Sequence, residues 1–92
     1  MKKSADFLKE CRESRNLSQK EVATQLGYST SQFISNWERG QSQPPISKIR
    51  ELAAIYKIDV QLIFDLILED HVEEVKKSFT NRFYRMKDIE TF

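Results

Sequence analysis

The apolar residues fall in short clusters at helical spacing, separated by polar breaks. Phe7, Leu8 and Cys11 recur at steps of one and three, and the spacing predicts a helix over residues 4–14. Arg15 and Asn16 break it. Ser18 and Glu21 form an S-x-x-E capping box, and Val22, Ala23 and Leu26 supply the stripe of a second helix. Gly27 ends that helix, because glycine enters the left-handed conformation at little steric cost. Ser29 or Thr30 is placed to cap a third helix, with Phe33, Ile34 and Trp37 facing inward and Gly40 closing it. The polar loop "QSQPP" leads to Pro45, which suits the first turn of a fourth helix carrying Ile46, Ile49, Leu52, Ala53 and Ile55. "YKID" breaks the pattern, and Asp59 caps a fifth helix.

No glycine or proline follows Val60. Unbroken, a helix over residues 59–87 would be about 43 Å long at 1.5 Å per residue. Ile63 and Phe64 are expected to close the core, leaving Leu62, Leu66, Ile67 and Leu68 with nothing to cover within one protomer. Leu68, Val72, Val75, Phe79, Phe83 and Met86 then continue as one stripe with steps of three and four. A helix that breaks near Asp70 and folds back over its own domain is the alternative. There is no strand-like alternation, internal repeat or low-complexity tract. The expected fold is all-α, with five helices in a core and a C-terminal helical extension.

Two short helices joined through one glycine meet the demands of a helix-turn-helix. Ala23 is small where the third helix must cross the second, and Gly27 tolerates positive φ in the turn. Ile34 and Trp37 bury one side of the third helix, leaving Ser31, Gln32, Ser35 and Asn36 free to face outward. A merely solvated helix face would more often carry Lys and Glu. Short amides and hydroxyls both donate and accept toward base edges and phosphates.

The segments "LSQKEVATQLG" and "ISNWERG" resemble the helix-turn-helix of phage Cro and repressor proteins, the XRE-like family. The resemblance covers roughly residues 5–66. It implies a five-helix repressor-like domain over residues 1–66 that binds double-stranded operator DNA as a two-fold dimer, with its third helix in the major groove. It also implies that Ser31, Gln32, Ser35 and Asn36 contact bases. Phosphate contacts would come from Ser18, Gln19 and Lys20 at the second helix, Arg39, Gln41, Ser42 and Gln43 after the third, and Lys48. Arg12 matches the family arginine that pairs with the glutamate of "ERG", here Glu38. The interval from Gly27 to Ile34 is one residue longer than the usual family spacing. Ser29-x-x-Gln32 is itself a capping-box pattern, which would turn Gln32 back onto its own helix.

Composition changes this picture little. With 39% apolar and 32% charged residues, the chain reads as one ordinary globular unit. The net charge is only +1, but residues 1–50 carry nine Lys/Arg against five Asp/Glu and residues 51–92 carry six against nine. The basic first half suits an anionic partner. Lys2, Lys3, Lys20, Arg39 and Lys48 are its candidate phosphate cations. Few cations mean a shallow salt dependence for one protomer, and a weak grip that calls for two copies. The C-terminal extension, residues 67–92, is therefore expected to dimerise, with Leu62 and Leu66 just before it joining Leu68, Val72, Val75, Phe79 and Phe83 in the interface. A rival reading is an antitoxin or adaptor that uses the same tail to grip another protein.

The single Cys11 cannot form an internal disulfide, and lone Cys11 and His71 suit a buried thiol and a surface imidazole. No nucleophile–base pair, metal-ligand spacing or cofactor motif is present, so neither an enzyme nor a cofactor is expected. The basic N-terminus lacks an apolar h-region, and no apolar run is long enough to span a bilayer. A cytoplasmic location without membrane contact is expected.

Overall fold

The computed structural model describes the backbone of residues 3–90 and the side chains of residues 3–86. It is all-helical: α1 (Lys3–Ser14), α2 (Gln19–Gln25), α3 (Gln32–Glu38), α4 (Ile46–Tyr56) and α5 (Val60–Glu90). Lys2 and the side chain of Lys87 lie outside the described residues.

α1, α2 and α4 end in the same way, and α3 repeats the reversal at Gly40 (φ 73°), where the polar Gln41 donates to the Asn36 carbonyl at 3.0 Å. A residue at positive φ reverses the chain, and the next residue, an apolar one in the first three, donates its N–H to a carbonyl five positions back. Asn16 (φ 56°) sets Leu17 on the Arg12 carbonyl at 3.2 Å, and Gly27 (φ 84°) sets Tyr28 on Ala23 at 2.9 Å. Lys57 (φ 56°) sets Ile58 on Ala53 at 3.1 Å. These Schellman-type turns satisfy carbonyls that the helix leaves open and bring each following apolar side chain against the core. At Gly27 the demand is conformational, because a Cβ there would meet nothing within 4 Å.

The core gathers Leu8 of α1, Val22, Ala23 and Leu26 around α2, and Ile34 and Trp37 of α3. Ile49, Leu52, Ala53 and Tyr56 of α4 join Ile63 and Ile67 of α5. Four sequence expectations change. Phe33 is 50% exposed and Ile46 80% exposed, because each stands at the edge of its helix's apolar face. Tyr56 takes the core position expected of Ile55, which is only half-buried. On α5, Ile67 is buried and Phe64 is 39% exposed. Positions 60, 63 and 67 share a face, and position 64 lies about 100° away from 63. Cys11 is half-buried against the core, where burial raises its thiol pKa.

α5 does not break at Asp70. It runs 31 residues, and every described side chain from His71 to Met86 is exposed. Asp70 itself is buried and accepts the backbone N–H groups of Lys3 (3.1 Å) and Ser4 (3.0 Å) together with the Ser4 hydroxyl. It thus answers open donors at the start of α1 and sets a negative charge at that helix's positive end. Asp70→Ala leaves the buried Ser4 donors without this acceptor, and a loss of about 1–3 kcal/mol is expected. An unchanged urea midpoint would refute this account of the α1–α5 joint.

Candidate nucleic-acid interface

The start of α2 is a complete capping box. Ser18 Oγ accepts the Glu21 N–H at 3.0 Å, and Glu21 Oε1 accepts the Ser18 N–H at 2.9 Å. Hydrogen bonding from the Ser18 backbone N–H, and after it from the Ser18 side chain, holds the Glu21 carboxyl below its usual range. Ser18 therefore spends its own N–H and hydroxyl within the box, and the N–H groups of Gln19 and Lys20 are those left at this end. The Lys20 ammonium donates to the Ser29 carbonyl at 3.1 Å.

α3 is fixed to the core by Ile34 and Trp37, and to α1 by Glu38. Arg12 grips that carboxylate with two bonds, Nε to Oε2 at 2.7 Å and Nη2 to Oε1 at 3.0 Å. Its third nitrogen donates to the Leu17 carbonyl at 2.8 Å, in the turn that leads into α2. The Gln19 amide donates to Glu38 Oε1 at 3.1 Å. One buried carboxylate thus joins α1, α2 and α3. The hydrogen bond and charge of Glu38 raise the Arg12 pKa. Burial, then Glu38, raise that of the Tyr56 phenol nearby.

At 3.6 residues per turn, the side of α3 opposite Ile34 carries Gln32, Asn36 and Arg39, with Ser35 on one flank and Phe33 on the other. The three central side chains are linked. Asn36 Oδ1 accepts from Gln32 Nε2 and from Arg39 Nη2, each at 2.9 Å. Gln32 therefore turns along its helix, and the Ser29–Gln32 capping box does not form; Thr30 Oγ1 accepts the Gln32 N–H at 3.2 Å instead. Ser31 is half-buried just before the helix and makes no side-chain cap bond. Arg39 lies along the outer face of α3, apart from the loop residues Gln41 and Ser42.

Phe33, expected to face inward, is instead a surface residue. Its ring stacks on Tyr28, with centroids 4.7 Å apart, and Tyr28 in turn meets Trp37 edge-on at 6.0 Å. The chain from core to Phe33 makes it a braced apolar group at the rim of the outward face. Its only sequence signal is the one-residue step to Ile34, which puts both on one inner face only if that face is broad.

The remaining candidates divide. Gln41 and Ser42 are exposed in the loop after α3. Gln43 is half-buried, and its amide nitrogen is enclosed without a hydrogen-bond partner among the described residues. Lys48 is tied to its own chain. Its ammonium donates to the Leu26 carbonyl at 3.0 Å, pairs with Glu51 at 3.2 Å and lies 5.3 Å from the Tyr28 ring centroid. Those bonds hold the end of α2 against α4 and leave the ammonium poorly placed for a phosphate. Lys3 Nζ pairs with Glu69 at 3.3 Å. On the tail, Leu68, Val72, Val75, Phe79 and Phe83 form one exposed stripe. Leu62 and the half-buried Leu66 stand on another flank of α5, roughly a third of a turn or more away.

Compared with known protein families, residues 8–63 match the helix-turn-helix family. The chain belongs to this family. It is an XRE-type, DNA-binding protein of transcription regulation, and the matched segment runs from α1 into the start of α5. Comparisons with curated proteins and with solved structures gave no match.

Proposed function

We propose that this helix-turn-helix protein is a transcriptional repressor that reads a two-fold operator as a homodimer, with α3 in the major groove. The observation that carries the reading is the linked row Gln32–Asn36–Arg39 on the outward side of an α3 clamped to the core. The shared Asn36 oxygen leaves the Asn36 amide nitrogen as a donor and the Gln32 carbonyl as an acceptor. Paired with an arginine, this suits base edges that alternate acceptor and donor. Ser31 and Ser35 extend the row. Gln19 and Lys20 at α2, with Gln41 and Ser42 beyond α3, would hold the phosphates on either side. Phe33 would meet a thymine methyl at the rim. Among the described residues no helix is long and apolar enough to cross a membrane. A cytoplasmic location goes with this reading.

Selection of bound duplexes from a random library tests the reading. A two-fold site is expected, with half-sites about 34 Å apart on one face of the DNA. Recovery of a single asymmetric half-site would refute the two-fold operator. On the selected site, Asn36→Ala is expected to cost about 1–3 kcal/mol, with little effect on random DNA. Equal losses on both would remove Asn36 as a base reader. Replacing the contacted thymine by uracil deletes one methyl, worth about 0.8 kcal/mol or roughly fourfold in affinity. That loss should appear in the native protein and vanish in Phe33→Ala.

A further inference from the structure

α5 has two apolar faces. Val60, Ile63 and Ile67 bury one of them, and that face turns polar at Asp70. The other runs Phe64, Leu68, Val72, Val75, Phe79 and Phe83, exposed by 39% to 70%. We propose that a second copy of this chain covers that stripe, its α5 antiparallel to the first, with the two-fold axis at Val72. This rests on the homodimer reading above and adds its geometry.

The stripe is close to symmetric about Val72. Leu68 and Phe64 stand four and eight residues before it, and Val75 and Phe79 three and seven after it. In an antiparallel pair centred there, Val72 meets its own symmetry mate. Leu68 then meets the partner's Val75, and Phe64 meets the partner's Phe79. A two-fold contact must be self-complementary in this way. Leu62 and Leu66 lie on another flank and take no part.

A cavity at the Phe64 end of the stripe fits the same register. Beyond Phe64, helices α4 and α5 leave a groove of about 230 Å³ lined by Ile46, Ile49, Arg50, Val60, Gln61 and Phe64. The pairing sets the partner's Phe83 level with Gln61, so its phenyl ring enters this groove beside Ile46. That explains an isoleucine 80% exposed at the start of α4. Charge also favours this direction. Glu69 and Lys76 occupy the same flank of the stripe and become cross-partners in the antiparallel pair. Parallel helices would set Glu69 against Glu69 and Lys76 against Lys76. The exposed parts of the stripe and Ile46 amount to on the order of 700 Å² per protomer, within the usual range for a stable interface.

Cysteine cross-linking in the full-length chain tests the arrangement, on a Cys11→Ser background whose dimerisation and operator affinity are first matched to the native protein. Under mild oxidation, Val72→Cys alone should link to itself. Leu68→Cys and Val75→Cys should link at least tenfold faster when mixed than either does alone. A facing pair alone satisfies the short Cα separation that a disulfide needs. Self-linking at all three positions would mean parallel helices and overturn the proposal. A dimer that links at none of them would overturn it too. Sedimentation of the native chain separates the two levels. A monomer at high micromolar concentration defeats the homodimer reading itself, whereas a dimer with the wrong cross-links defeats only this geometry.

Discussion

Removing residues 75–92 is expected to leave a folded monomer that binds its operator roughly 10²–10⁴-fold more weakly than the full chain, the factor that linking two binding modules commonly supplies. None of the described side chains beyond Asp70 is buried, so the deletion takes nothing from the core. Ending at Glu74 keeps Asp70 inside helical backbone, with its bonds to Lys3 and Ser4 intact. What disappears is half of the apolar stripe on α5. Two recognition helices then no longer arrive together, and each protomer must hold its half-site alone. The protein has few cations for this: Lys48 and Lys20 already donate to carbonyls of their own chain. Binding of an isolated half-site should change little, since α2 and α3 are untouched. Light scattering together with operator titration at one fixed salt concentration checks the result. A truncated form that still dimerises and binds operator at full strength would refute the role given to the tail.

How far the sequence reveals this fold depends on the range of the interaction responsible. The five helices are legible because their stripes and breaks are local, and the α2 capping box is spelled out within four residues. Helix ends are legible only in part. The same reversal ends four helices, but glycine marks it only at Gly27 and Gly40, while Asn16 and Lys57 adopt positive φ without so clear a signal. Face assignments drift where a helix has apolar residues all round. On α5, Ile67 and Phe64 exchange their expected places, because nothing in a continuous apolar run tells which side meets the core. Asp70 is illegible for another reason. Its partners Lys3 and Ser4 lie 66 or 67 positions away, and a helix start capped from such a distance leaves no local pattern.

The same distinction holds in the candidate interface. The polar row of α3 follows from helical spacing, and so do Gln32 and Asn36 as its members. That Arg39 joins this row, and that Lys48 is drawn inward to Leu26 and Tyr28, depends on how long side chains settle against their neighbours. Phe33 faces outward because Tyr28, fixed by the turn after α2, offers its ring a surface there.

Arg12→Met is expected to destabilise the protein by about 3–5 kcal/mol, the range for removing one partner of a buried ion pair. The side chains of Arg12 and Glu38 retain only 12% and 3% of their exposure. The substitution strands the Glu38 carboxylate with the Gln19 amide as its remaining donor, and it also frees the Leu17 carbonyl. Replacing both charges with apolar groups, as Arg12→Met with Glu38→Leu, removes the stranded charge and should recover a good part of the loss. The double variant is then more stable than the sum of the two single changes allows, as expected for residues in direct contact. Urea unfolding of the four proteins measures the coupling. DNA binding gives a second readout, because this carboxylate connects α1, α2 and α3. The folded fraction of Arg12→Met should bind operator less tightly, since α3 loses one of its anchors to α1. A loss of stability below about 1 kcal/mol would place the pair among weakly coupled surface contacts and remove it as the joint of the motif.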